Sequence, residues 1–173
     1  MMASRMTSEK NIPLAMRAFA QVVIKHPDAL LLIIGEGPMR TSLEVLANEL
    51  QVRSRVVFEP WQKDLASYYK TSDLFLLTSN YEGYAMSLVE ATAAECPAIS
   101  TEVGVSEKLL SPDARISVDD KDALVAKLIT MLDLKERRAA IMRYAREHLH
   151  YVTSRNKEQN IQALHQSLKK LIG

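Results

Sequence analysis

The chain has 173 residues, 47% of them hydrophobic and 25% charged, which fits one folded domain with a real core and excludes a disordered or fibrous chain. Its 22 Lys and Arg stand against 21 Asp and Glu, interspersed along the chain. There is therefore no broad positive field for a nucleic-acid backbone, and any anion site must be local.

Cys96 is the single cysteine, so an internal disulfide and a multi-cysteine zinc cluster are excluded and a reducing compartment is expected. Beside Pro97 it reads as a small core residue. The start, MMASRMTSEKN, lacks the apolar core of a signal peptide. The longest apolar run, Ala29 to Ile34, is far short of the roughly 20 residues a bilayer span needs. A cytoplasmic chain without a transmembrane segment is expected.

In chain order, PLAMRAFAQVV from Pro13 places Leu14, Ala18 and Val22 at helical spacing, with Asn11 and Pro13 as entry signals. ALLLIIG follows as a strand apolar on both faces and stopped by Gly35. The alternation continues: helix MRTSLEVLANELQV, strand RVVFE, helix KDLASYYKTS, strand DLFLLTS, helix SLVEATAAE, strand PAIST, weaker strand ARISV, and a helix from Lys121 to Leu132. This pattern predicts βαβ units in an open parallel sheet with helices on both faces, a Rossmann-like α/β core over residues 1–132. Residues 133–173 change character, with two charged amphipathic helices and no strand between them, the whole forming a single domain. Their His148, His150 and His165 follow no metal-site spacing and read as solvated helix-face residues.

In such a sheet the ligand lies beyond the carboxyl ends of the strands. The loop SRMTSEKN presents Arg5 and Lys10, which could clamp a diphosphate, Arg by forked hydrogen bonds and Lys as a point charge; two solvated surface charges are the plainer reading. In IIGEGPMR, Gly35 and Gly37 permit a tight turn and Pro38 suits the first turn of the next helix, whose bare amides could face an anion. A structural turn explains the glycines as well. In FEPWQ, Trp61 could line a nucleobase pocket or anchor the core.

The fourth loop, YEGYAMSLVEA, places Glu82 in the connection and Glu90 about one turn inside a helix beginning near Met86. Glu90 is suited to gripping the vicinal hydroxyls of a ribose. Glu82 could reach a second sugar, with the amides of Met86, Ser87 and Leu88 between them favouring a phosphate. An ordinary helix with acidic residues near its start remains the alternative.

Taken together and in order, SRMTSEKN, LLLIIGEGP, VVFEPW, SDLFLLTSNYEGYAMSLVEATAAECPAIST and VGVSE resemble the C-terminal, donor-binding half of the retaining glycosyltransferases of GT-B architecture, glycosyltransferase family 4. The likeness covers nearly the whole chain. It implies that Arg5 and Lys10 hold and stabilise the departing diphosphate, and that Glu82 and the amides of Tyr84, Ala85, Met86 and Ser87 hold the transferred sugar and nearby phosphate. It also implies that Glu90 binds the ribose diol, and that Trp61 and Gln62 lie beside the base.

The donor implied is a nucleotide diphosphate sugar, and the acceptor a growing glycan or lipid-linked saccharide. No metal or other cofactor is implied, because two cations and a helix terminus would neutralise the diphosphate. The acceptor would be presented by an N-terminal domain outside this chain, which would also supply any peripheral contact with the inner face of a membrane. The isolated chain is accordingly expected to bind donor weakly and to transfer nothing.

Several positions depart from the family pattern. Ala85 stands where a glycine is usual, keeping the amide but adding a methyl and losing access to φ > 0. Glu95 and Pro60 replace glycines, and VGVSE keeps Gly104 as its one glycine ahead of Glu107. Three other readings compete: a sugar-nucleotide epimerase of related fold, a non-catalytic nucleotide-binding or partner-docking domain, and an NAD-binding domain. The last lacks the third glycine of its fingerprint.

Overall fold

The computed structural model of the protein describes residues 1–150. Strand β1 (Met2–Ala3) leads through a loop to helix α1 (Ile12–Lys25), and β2 (Leu31–Ile34) leads to α2 (Arg40–Glu49). Next come β3 (Val56–Glu59), α3 (Leu65–Thr71), β4 (Phe75–Leu77), α4 (Met86–Ala93), β5 (Ala98–Thr101), α5 (Ser106–Leu109), β6 (Arg115–Ile116) and α6 (Lys121–Asp133). Residues 135–150 are helical. The second C-terminal helix expected from the sequence, with His165, lies outside the described residues.

Pairing is parallel throughout, β1 with β2 (Met2 opposite Ile33), β2 with β3 (Leu31 opposite Val56), β4 with β5 (Phe75 opposite Ala98) and β5 with β6 (Ser100 opposite Arg115). The two three-stranded ladders meet at β1 and β4, where Leu76 N donates to Met1 O at 2.8 Å and Met1 N to Leu74 O at 2.6 Å. The order across the sheet is therefore β3-β2-β1-β4-β5-β6. The chain runs outward from β1 in one direction and then reverses. Right-handed crossovers consequently put α1 and α2 on one face and α3 and α4 on the other, with α6 returning to pack on α1.

Local chemistry sets the helix starts. Pro13 occupies the first turn of α1, where a missing N–H costs nothing. Asp64 caps α3 by accepting from Ser67 N (3.3 Å), and Asp120 caps α6 by accepting from Ala123 N (2.9 Å). The central strands are buried on both sides: Ile33, Ile34, Phe75 and Ile99 are almost wholly shielded. Each such side chain contributes about 1.5–3 kcal/mol of apolar burial, and Phe75→Ala would cost about 3–5 kcal/mol. Edge strand β3 shows the contrast, Val56 buried and Val57 exposed.

Cys96 is buried against Ser72 O and Pro97 O, and burial pushes its thiol up to about 11. It is a core residue, as its place beside Pro97 predicts.

Candidate active site at the carboxyl ends of the strands

The reversal of strand order falls between β1 and β4, so the loops that leave their carboxyl ends lie side by side. They are laced together. Asn80 N donates to Glu9 O (2.8 Å), and Thr78 Oγ1 donates to Lys10 O (3.1 Å) and Asn11 O (3.0 Å). Asn11 holds a left-handed backbone (φ 44°), which asparagine tolerates, and its Nδ2 donates to Asn80 Oδ1 and Asp119 Oδ1.

This lacing brings Lys10 and Glu82 together although 72 residues separate them. Lys10 Nζ donates to Glu82 Oε1 at 2.7 Å, with the two side chains 14% and 13% exposed. Ser79 Oγ donates to the same oxygen at 2.7 Å, and Thr101 Oγ1 anchors Ser79 through its carbonyl at 2.7 Å. Arg5 is not drawn into the cluster. Its side chain is 75% exposed and its ion pair is a long one to Glu9, 3.4 Å.

Gly35 (φ 138°) and Gly37 (φ 155°) face the β1 loop so closely that a Cβ would lie 2.0 Å from Ser4 O and 2.5 Å from Met6 O. Met6 N donates to Glu36 O and Met39 N to Met6 O, so the two glycines support the loop that carries Arg5 and Lys10. One expectation is corrected here. Pro38 precedes α2 instead of opening it, and the amides of Met39 and Arg40 are taken up by Met6 O and Gly37 O. Packing against the β1 loop thus occupies the two amides nearest the turn.

At the entry to α4, Ala85 is buried and left-handed (φ 71°, ψ 58°). The alanine thus adopts the conformation expected of a glycine, at a cost of about 1–2 kcal/mol. The VGVSE loop holds it there: Val105 N donates to Tyr84 O at 3.1 Å. Gly104 also packs so close that a Cβ would lie 2.7 Å from Tyr84 O and 3.2 Å from Ala85 Cβ. Leu88 N already donates to Ala85 O (3.1 Å), which corrects its place among the free amides. By helix geometry, Met86 and Ser87 supply the amides without an intrahelical acceptor.

One turn into α4, Glu90 opens on a cleft of about 540 Å³ whose lining includes Trp61, Lys63, Tyr69 and Lys70. Trp61 is 64% exposed, which resolves the sequence ambiguity against a core anchor, and Gln62 is half-buried and outside the lining. Tyr69 OH lies 3.4 Å from Glu90 Oε2, long for a hydroxyl–carboxylate bond. Burial, and then the adjacent Glu90 carboxylate, push the phenol well above its ordinary range, so it stays a proton donor. A second cleft, about 410 Å³ and lined by Leu31, Leu74 and Leu128 among others, opens at the amino ends of the strands, away from these groups.

The sequence reading did not place Ser79 or Tyr69 among the site residues, and took Asn11 as a helix-entry signal without its bonds to Asn80 and Asp119. Ser79 stands three residues before Glu82 at a strand end, a signal that could have been used. Tyr69, inside an ordinary amphipathic helix, gives none.

A parallel sheet in this order, with charged side chains and helix amides gathered at its reversal point, defines a Rossmann-like, doubly wound domain. Residues 1–148 match the family of glycosyl transferases group 1. The chain is 32% identical over 114 residues to an uncharacterized glycosyltransferase of Methanocaldococcus jannaschii, a match covering 65% of this chain and 28% of that protein. It is 28% identical over 155 residues to a GDP-mannose-dependent monoacylated alpha-(1-6)-phosphatidylinositol monomannoside mannosyltransferase of Corynebacterium glutamicum, covering 84% and 41%. The catalytic domain of cholesterol-alpha-glucosyltransferase from Helicobacter pylori superposes with TM-score 0.76 at 25% identity, covering 87% of this chain and 97% of that one.

Anabaena HepE in complex with UDP and glucose superposes with TM-score 0.83 at 19% identity, covering 95% and 47%, a likeness of fold. The chain belongs to the glycosyl transferases group 1 family, and it spans well under half the length of these curated relatives. Among the described residues no helix is long and apolar enough to cross a membrane.

Proposed function

We propose that this chain is the donor-binding half of a retaining glycosyltransferase of GT-B architecture, family 4, taking a nucleotide diphosphate sugar. The observation that carries the reading is the Lys10–Glu82 contact of 2.7 Å across the β1/β4 reversal, followed eight residues on by Glu90 in a cleft shared with exposed Trp61. Cation, helix amides, carboxylate and aromatic surface follow one another as diphosphate, ribose and base do in such a donor.

In this reading Lys10, Arg5 swung inward from solvent, and the amides of Met86 and Ser87 receive the diphosphate. They stabilise its charge as the bond to the anomeric carbon breaks. Glu82 accepts from hydroxyls of the transferred sugar, near the backbone of Tyr84 and Ala85. Glu90, with Tyr69 behind it, grips the ribose diol, and Trp61 offers its ring to the base. Neutralisation by these cations and amides makes the reaction metal-independent.

The whole protein adds a domain that presents the acceptor, a growing glycan or lipid-linked saccharide, and works in the cytoplasm with membrane contact through that other half. Curated relatives bear names of this kind, among them an alpha-1,3-galactosyltransferase of Escherichia coli acting on alpha-D-GlcNAc-diphosphoundecaprenol. Calorimetric titration of this chain with UDP-glucose, UDP-N-acetylglucosamine, GDP-mannose and ADP-glucose tests the reading. Saturable binding of at least one is expected, and no binding by any of the four would sink it.

A further inference from the structure

Lys10 already has its countercharge. Its ammonium shares Glu82 Oε1 with the Ser79 hydroxyl, both at 2.7 Å, and the pair is largely buried. We infer that Glu82 makes the site prefer a nucleotide that still carries its sugar over the bare nucleoside diphosphate. The inference rests on the donor-site reading above and adds a role in discharging the spent product.

A phosphate oxygen hydrogen-bonded to Lys10 Nζ lies within about 6 Å of Glu82 Oε1, since both are within bonding distance of one nitrogen. Two anions at that range and depth repel with little help from salt. The repulsion is not removed by moving Glu82, because it is paired at 2.7 Å with the same Lys10 ammonium that would hold the phosphate, and hydrogen bonds between the two loops fix the backbone carrying both. A sugar on the diphosphate changes the balance. A carboxylate offers about four acceptor positions; among the described residues Lys10 and Ser79 use those on Oε1, and Oε2 is left to take sugar hydroxyls. Once the sugar has been transferred those donors are gone and the repulsion remains, so the bare diphosphate is held less tightly than the donor was.

The test measures dissociation constants by calorimetry for UDP, UDP-glucose, GDP and GDP-mannose with the wild-type chain, Glu82→Gln and Ser79→Ala. The pair that binds the wild type more tightly is the one compared. The wild type should favour the sugar nucleotide. Glu82→Gln should tighten the bare diphosphate and cut that preference by about tenfold or more, the scale of a hydrogen bond to a charged acceptor. Ser79→Ala keeps the charge but strips it of a donor, so it should weaken the bare diphosphate by roughly two- to threefold.

The opposite signs distinguish this role from general damage to the pocket. An unchanged preference in Glu82→Gln, or a bare diphosphate weakened by it, overturns the inference while leaving the donor site standing. Should circular dichroism show that Glu82→Gln does not fold, Ser79→Ala decides alone, and bare-diphosphate affinity equal to wild type or tighter refutes it. A wild-type chain that binds none of the four probes overturns the donor-site reading and this inference with it.

Discussion

The segment from Glu82 to Glu90 joins two regions built in opposite ways. At its start, Glu82 sits in a closed corner, bonded to Lys10 and Ser79 and backed by hydrogen bonds between two loops. At its end, Glu90 is exposed on an open cleft, with one long contact to Tyr69 and a solvent-facing tryptophan nearby. The closed corner is held by its own internal bonds, so changing it should cost stability. The open cleft has polar and aromatic groups with few internal partners, so changing it should cost ligand affinity and leave the fold alone.

Lys10→Ala is the strongest way to break that contrast. It strands a largely buried carboxylate, and we expect a loss of about 2–3 kcal/mol of stability by denaturant titration, toward the low end of what severing a buried pair costs. Arg5→Ala, at an exposed pair, should change stability by less than about 0.5 kcal/mol. Equal effects from the two would mean that the corner is not closed. On the cleft side, Trp61→Ala should weaken nucleotide binding by about 1–2 kcal/mol in calorimetry, as loss of a stacking surface does, with an unchanged melting temperature.

Backbone strain gives a smaller effect. Cys96 N donates to Ala91 O and Glu95 N to Thr92 O, so α4 ends in a Schellman turn with Glu95 left-handed at φ 61°. Glu95→Gly should stabilise by about 0.5–1 kcal/mol in a thermal melt, even though it forfeits the exposed pair with Arg146. The smallest effect lies farthest from the ligand. The Lys25 ammonium holds the Asp133 carboxyl below its ordinary range. Its folded value is depressed, so its stabilising contribution is present above the ordinary carboxylate range and is lost as pH falls through the folded value. Asp133→Asn should therefore lower the melting temperature slightly at neutral pH and flatten its fall in acid.

The contrast also marks what the sequence could tell. The strand–helix alternation was legible because buried parallel strands such as LLII and FLL are apolar on both faces, and Asn11, Pro13 and Gly35 punctuate them. Lys10 and Glu82 could be singled out because they fall in loops that leave strand ends, where a doubly wound sheet gathers its ligand groups, and Glu90 because it lies one turn into the helix that follows. The pairing of Lys10 with Glu82 was not legible. It depends on β4 lying beside β1, a long-range fact that no local spacing encodes.

The state of Ala85 was misread for a related reason. Local propensity disfavours φ > 0, and the docking of Val105 and Gly104 on Tyr84 and Ala85 overrides it. The glycines of IIGEGP were readable as turn residues, but their purpose, clearance for the backbone of Ser4 and Met6, appears once the two loops meet.

The claim that most of the functional account depends on is that Glu90 grips a ribose. Affinities of UDP and 2′-deoxy-UDP, or of the guanosine pair if that binds better, should be measured by calorimetry for the wild type and Glu90→Ala. The account predicts that Glu90→Ala costs UDP about 1.5–3 kcal/mol, roughly ten- to a hundredfold. It further predicts that removing the 2′-hydroxyl weakens binding to the wild type and changes almost nothing in the variant, because the two changes delete one interaction. An equal loss on removing the hydroxyl in both proteins, or no loss in Glu90→Ala, would contradict it.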